Sequence, residues 1–268
     1  MILKIIIYSI IIIILIIALS KERLKNKLTF FPDNISEIPK QNIPNFVSER
    51  QIRTIDGEIL QAFLFRHNED ISHPLIIYFH GNAGNLYHRF DYVQRLFEMN
   101  QDVLLISYRG YSKSTGKPTE KGIYIDGESA LKYATDDLGY DKKEITIFGR
   151  SLGTTVAIHI AQNRIFNGLI LVTPLTSGKE MAAAMGLSFF KIIVGNSYNS
   201  IKKIKNIKSK ILIIHGNKDE LIPYDMGKKL IDTFRGTKYM ITIKEGGHND
   251  LQDVDPLLFW GEIEKFLK

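Results

Sequence analysis

From about residue 50 onward the chain alternates short, unbroken apolar runs with longer stretches of helical periodicity. This alternation sets the fold class. Leu75–Phe79, Asp102–Tyr108, Glu144–Phe148, Gly168–Val172, Ile211–His215 and Tyr239–Ile243 read as strands. A strand with one wet face alternates apolar and polar residues, whereas a strand covered on both faces need not. Predicted helices fall between them: Asn85–Met99, Thr119–Leu138 with Pro118 and Thr119 at its start, Leu152–Gln162, one from Pro223, and Leu251–Leu267. Repeated strand–helix units give an α/β fold with a mostly parallel central sheet and helices on both faces. Ahead of them, Gln51–Ile55 and Glu58–Phe65 flank Asp56-Gly57, a two-residue turn signal that predicts a β-hairpin.

Residues 173–208 interrupt the alternation with an apolar helix candidate, Met181–Val194. Its place between two sheet strands fits a short cap over the strand ends, where ligands bind in such sheets, and equally fits an ordinary crossover helix. The pattern predicts one domain over 50–268, preceded by a polar connector, 21–49, with Pro32, Pro39 and Pro44. Before the connector stands a different signal. Ile5–Leu19 is fifteen residues in which only Tyr8 and Ser9 are not strongly apolar. As a helix it would rise about 22 Å, against a hydrocarbon core of about 30 Å, and Lys4 can snorkel to the interface. Residues 1–20 are therefore expected to be a single-pass membrane anchor, or else a signal peptide cleaved near Ala18-Leu19-Ser20, which would export the domain. Lys21, Arg23, Lys25 and Lys27 after the span favour the cytoplasmic face for the domain.

Composition excludes several classes. Hydrophobic residues at 44% and charged residues at 24% are those of a globular chain, not a disordered one. The absence of cysteine removes disulfides, thiolate metal sites and a cysteine nucleophile. The excess of 35 Lys+Arg over 29 Asp+Glu is modest. It gathers after the apolar run and at Lys202, Lys203, Lys205, Lys208 and Lys210, which reads first as a solvated surface and alternatively as a second contact with an anionic membrane surface. No aromatic interleaving or nucleic-acid motif accompanies it, so no nucleic-acid partner is expected. Gly110 to Gly116-Lys117 has the wrong spacing for a phosphate loop, and Pro118 stands where the hydroxyl residue belongs. No metal-ligand spacing is present.

The chemistry centres on Gly149-Arg150-Ser151-Leu152-Gly153, between a predicted strand and a predicted helix. A sharp turn there lifts the serine side chain clear of the sheet, and glycines on either side remove Cβ atoms that would clash. The helix N-terminus favours developing negative charge. A serine hydroxyl needs a base, and the base needs an orienting carboxylate. Of the seven histidines, His248 in the glycine-rich 246–250 loop has no packing role to explain it, whereas His80 and His215 precede Gly-Asn at strand ends and read as loop-ordering. Asp219 follows the preceding strand, with Asp225 and Asp250 as alternative acids. The order Ser151, Asp219, His248 suits this kind of fold. The loop after Leu75–Phe79 would supply one oxyanion-hole N–H, from Asn82 or alternatively Ala83, and Leu152 the other.

His80-Gly81-Asn82-Ala83-Gly84, Tyr108–Ser112, Gly116–Pro118, the elbow, 215–223 and 246–251 together resemble the α/β-hydrolase superfamily, and within it the abhydrolase-domain serine hydrolases with an N-terminal membrane anchor. The resemblance implies the triad Ser151, Asp219, His248, no cofactor and no metal. It implies a serine hydrolase of esterase or thioesterase type, whose acyl substrate is carried by a small ester, a lipid or a lipidated protein. The cysteine-rich N-terminal segment of the depalmitoylating relatives is absent. An aminopeptidase-like amide hydrolase and a non-catalytic membrane-tethered scaffold are the alternatives.

Overall fold

The computed structural model describes residues 19–34, 42–67, 73–187 and 191–268. Eight strands form the central sheet: β1 (Val47–Arg53), β2 (Ile59–Phe65), β3 (Leu75–Phe79), β4 (Asp102–Ile106), β5 (Ile145–Arg150), β6 (Gly168–Val172), β7 (Ile211–Gly216) and β8 (Lys238–Ile243). Their spatial order is β1-β2-β4-β3-β5-β6-β7-β8. β1 pairs antiparallel with β2, and β2 with β4; every other pairing is parallel. All residues of β3 to β7 are buried, which is why those strands read as continuous apolar runs.

The pleat sends alternate side chains to two cores. Leu75, Ile77 and Phe79 of β3 pack with Ile123, Val156 and Leu230, from helices α2 (Glu120–Lys132), α3 (Gly153–Ala161) and α5 (Tyr224–Thr233). Ile76 and Tyr78 pack on the other face with Val93 of α1 (Phe90–Phe97) and Phe259 and Ile263 of α6 (Pro256–Leu267). Thr119 caps α2 as expected, its hydroxyl accepting from Gly122 N–H at 2.9 Å. The chain leaves β3 toward β4 on one side and returns to β5 on the other. β3 and β5 thus bracket the switch point of the sheet, where a crevice opens at the strand ends.

Three local expectations are corrected. The β1–β2 connection spans residues 54–58 rather than two, because Thr54 takes over the turn: its N–H donates to Glu58 O, its hydroxyl accepts from Glu58 N–H, and its carbonyl accepts from Gly57 N–H. The segment expected as a helix from Asn85 starts with a single 3₁₀ turn, Tyr87–Arg89, before α1. The expected helix Met181–Val194 is instead α4 (Gly178–Ala184) and a separate turn, Lys191–Val194, with Gly186 left-handed at φ +73° ending the first.

The connector range contains regular structure of its own. Residues 19–29 are helical, and Phe31–Pro32 pair in parallel with Ala83–Gly84 beside the loop after β3. The apolar run Ile5–Leu19, expected as the membrane anchor, lies outside the described residues except for Leu19. Among the described residues no helix is long and apolar enough to cross a membrane.

Candidate active site

Ser151 follows β5 directly and has φ +52°, a left-handed backbone that costs a non-glycine residue about 1–3 kcal/mol. The neighbourhood imposes it. Ser151 N–H donates to Val172 O at 2.9 Å, and Ser151 O accepts from Thr154 N–H at 3.0 Å and from the Thr154 hydroxyl at 2.6 Å. The flanking glycines are required by close backbone approach. A Cβ on Gly153 would stand 2.0 Å from Phe79 O, and one on Gly149 would stand 2.7 Å from Gly153 O. The turn therefore presses α3 onto the end of β3 and leaves the serine side chain partly open at the crevice.

The geometry brings the three expected side chains together. His248 Nε2 lies 3.0 Å from Ser151 Oγ, and His248 Nδ1 lies 2.8 Å from Asp219 Oδ2. The carboxylate requires a proton on Nδ1, which leaves Nε2 as an acceptor facing the serine hydroxyl. Asp219 Oδ1 accepts from the N–H groups of Leu221 at 2.9 Å and Ile222 at 2.8 Å. Burial acts to raise the Asp219 pKa, but hydrogen bonds from His215 and His248, the electrostatic pull of the His248 ring and the Ile222 amide outweigh it and hold the carboxyl well below the usual range. The alternative acids are elsewhere: Asp225 is in the first turn of α5, and Asp250 accepts from Gly247 N–H at 2.7 Å within its own loop.

The loop after β3 is built around buried His80, whose Nδ1–H donates to Gly81 O at 2.7 Å. Burial, then the charge of Arg89, pushes the His80 pKa down to about 3, so the ring is neutral. Tyr108 donates to His80 O at 3.1 Å and Tyr111 to Asn82 O at 2.6 Å. Phe31 N–H also donates to Asn82 O, and the Asn82 side-chain amide donates to Thr29 O, each at 2.9 Å. Asn82, Ser151, Leu152 and His248 line one cavity of about 420 Å³. Ala83 instead pairs with Phe31 and gives its carbonyl to Arg89. Away from the serine the cavity wall is apolar, formed by residues 173–208 through Leu175, Met181 and Val194, and by Leu28 and Phe31.

Sequence reasoning missed three supports. His215, read only as loop-ordering, is fully buried behind the acid: its Nε2–H donates to Ile222 O at 2.9 Å and lies 3.3 Å from Asp219 Oδ2. Arg150 donates to Asn249 O at 3.1 Å, tying the elbow to the His248 loop. Residues 25–31 reach the cavity, and the only clue was the apolar pair Phe30-Phe31 in a polar stretch. The Lys202–Lys210 cluster is not a uniform basic face. Lys203 lies 3.8 Å over the Tyr124 ring, its pKa lowered by burial to about 8, and Lys210 donates to Phe266 O at 2.8 Å.

A serine raised on an elbow at the switch point of such a sheet, facing a histidine from the last strand's loop, is an arrangement at home in one fold family. The chain belongs to the α/β hydrolases: the family model for the alpha/beta hydrolase fold matches residues 74–191. It is similar to the protein bem46 of Schizosaccharomyces pombe, at 36% identity over 74% of this chain and 71% of the relative. It is also similar to alpha/beta hydrolase domain-containing protein 17B of Homo sapiens, at 30% identity over 75% of this chain and 68% of the relative. Among solved structures, an esterase of Pyrococcus furiosus superposes with a TM-score of 0.74 at 18% identity, covering 89% of this chain and 97% of the esterase. Acetyl xylan esterase 1 of Thermoanaerobacterium superposes with a TM-score of 0.67 at 16% identity, covering 93% and 90%. At these identities the structural likeness speaks to fold.

Proposed function

We propose that this α/β hydrolase is a serine hydrolase that cleaves a carboxylic ester or thioester through an acyl-enzyme, with Ser151, His248 and Asp219 as its triad. The observation that carries the reading is the imidazole of His248 held between Ser151 Oγ and a carboxylate, beside an apolar cavity. Ser151 Oγ attacks the acyl carbon while His248 Nε2 takes its proton. The N–H groups of Asn82 and Leu152 receive the oxyanion, and Asp219 stabilises the imidazolium. The protonated His248 then gives its proton to the departing alkoxide or thiolate. Water, deprotonated by the same nitrogen, attacks the acyl-enzyme and releases the acid. No cofactor enters this scheme. An apolar wall supports an acyl substrate over an aminoacyl one, because an α-ammonium would need an anionic partner, and the charged side chain on this wall is the cationic Lys25. The same reading attaches the enzyme to a membrane through Ile5–Leu19, near lipid or lipidated substrates.

A fluorophosphonate probe, with p-nitrophenyl esters of increasing acyl length run beside aminoacyl amides, tests the proposal. Wild type is expected to label at Ser151 and to turn over the esters. Ser151→Ala is expected to lose labelling and to lower kcat by on the order of 10⁴–10⁶. Retention of more than a tenth of the activity in that variant sinks the assignment.

A further inference from the structure

We infer that the helix of residues 19–29 is the acyl-length selector of this site: together with the 173–208 cap it lines the apolar part of the cavity, and Lys25 latches the two walls to each other. The inference rests on the serine-hydrolase reading and deepens it by naming the substrate class, an ester of a long acyl chain.

The cavity lining is of two chemistries. Ser151, His248, Asn82 and Leu152 are its reactive part; Leu28 and Phe31 from the N-terminal segment and Met181, Met185 and Val194 from the cap are its apolar part. None of the second group hydrogen-bonds to the Ser151–His248–Asp219 relay, so selection and chemistry are carried by different elements. An apolar wall of this kind recognises its ligand by the area of alkyl chain it removes from water. Leu28 and Met185 are only half-buried, at 48% and 58% exposure, so each has apolar surface left to cover when a chain occupies the cavity.

The latch explains why a lysine is the one buried residue of the helix 19–29, whose others are exposed or half-buried. The Lys25 side chain is 10% exposed. Its ammonium lies 2.8 Å from Glu22 Oε2 on its own helix, donates to Ser197 Oγ of the cap at 3.3 Å, and lies 3.8 Å from Glu120 Oε2 on α2. Glu120 Oε1 in turn accepts from Tyr198 N–H at 2.6 Å and from the Tyr124 hydroxyl at 3.1 Å. Ser197 is also where the cap folds back on α4, since Ser197 O accepts from Gly178 N–H at 2.9 Å. One ammonium and one carboxylate therefore gather the helix, the cap and the body at a single point. Releasing Lys25 frees the two walls from each other while Thr29 and Phe31 still hold the Asn82 loop.

The test uses the full chain in detergent micelles, with p-nitrophenyl acetate and p-nitrophenyl octanoate as probes and the ratio of their kcat/KM values as the readout. Leu28→Trp, at a half-exposed position, narrows the apolar part and is expected to lower the octanoate-to-acetate ratio roughly tenfold, through a higher KM for octanoate. Lys25→Met keeps the apolar stem, removes the charge and is expected to lower the ratio several-fold, with Lys25→Arg restoring it. An unchanged ratio in Leu28→Trp overturns the inference. So does an equal fall for both esters in Leu28→Trp and Lys25→Met, which reports a structural role alone. Failure of the underlying reading looks different: wild type itself would neither turn over acetate nor label with the fluorophosphonate, and the selector would fall with it.

Discussion

Replacing Asp219 with asparagine exchanges one oxygen for an amide nitrogen, and the surrounding donors decide which one. Oδ1 accepts from two backbone N–H groups, Leu221 at 2.9 Å and Ile222 at 2.8 Å. The amide oxygen of Asp219→Asn must stay there, because turning the NH₂ toward those donors would break both bonds at a buried side chain. The NH₂ then takes the place of Oδ2 and meets His248 Nδ1. A donor now faces the ring, so the imidazole moves its proton to Nε2. That nitrogen, 3.0 Å from Ser151 Oγ, can no longer accept the serine proton. The same exchange in a serine protease triad lowers kcat by about 10⁴, which is about 5 kcal/mol of transition-state stabilisation. Because the variant is nearly isosteric, the fold should survive. The assay is kcat for p-nitrophenyl acetate at neutral pH, beside a thermal melt showing a cooperative transition. A folded variant keeping more than a tenth of wild-type kcat would refute the tautomer argument and the role of Asp219 together.

His159, stacked on Tyr124 at 4.1 Å, has its pKa lowered from 6.5 to about 4 by burial and then by the charges of Lys203 and Arg164. Between those values the unfolded chain holds the extra proton, so this group's stabilisation is full above pH 6.5 and drains away as pH falls toward 4. Chemical denaturation midpoints at pH 7 and pH 5 should therefore fall less in His159→Phe than in wild type, and equal falls would count against the reading. Full-length protein should remain with membranes in high salt and leave only with detergent, because apolar insertion is not screened whereas adsorption of Lys202, Lys205 and Lys208 is. Recovery of the intact chain in the salt-washed supernatant would defeat the anchor.

The parts of this fold that were legible are those where local pattern and global burial coincide. β3 to β7 are covered on both faces, so their hydropathy alone gave them away. Ser151, Asp219 and His248 were readable because each stands just past a strand end, and loops at strand ends converge in a doubly wound sheet. The Asp56-Gly57 signal placed the hairpin but not its loop length, because a side chain, the Thr54 hydroxyl, took over the turn. The apolar run Met181–Val194 was read straight through Gly186, whose left-handed backbone divides it, because its apolar content outweighed that single stop signal. The helix of residues 19–29 was hidden for a different reason. It is fastened by a lysine whose stem is buried and whose charge is paired across the sequence, a contact that no hydropathy window can register. His215 sits in a similar blind spot, since its partner oxygen belongs to a loop that only closes in three dimensions.

The glycine contacts around the elbow divide the molecule into parts with unequal freedom to diverge. At Gly153, backbone meets the carbonyl of Phe79; at Gly216, a Cβ would stand 2.1 Å from Gly246 O, so the strand before the acid loop and the loop carrying His248 touch main chain to main chain. These joints admit no side chain and hold whatever sequence surrounds them, so the reactive frame behaves as a chassis. The 173–208 segment is different. It leaves at the end of β6 and returns at the start of β7, with main-chain bonds near its two ends, Thr173 N–H to Ile214 O and Asn163 N–H to Asn206 O, and side-chain contacts such as Lys25 with Ser197 between them. Its side chains Leu175, Met181 and Val194 line the cavity, so substitutions there reshape the wall while the glycine joints of the frame stay as they are.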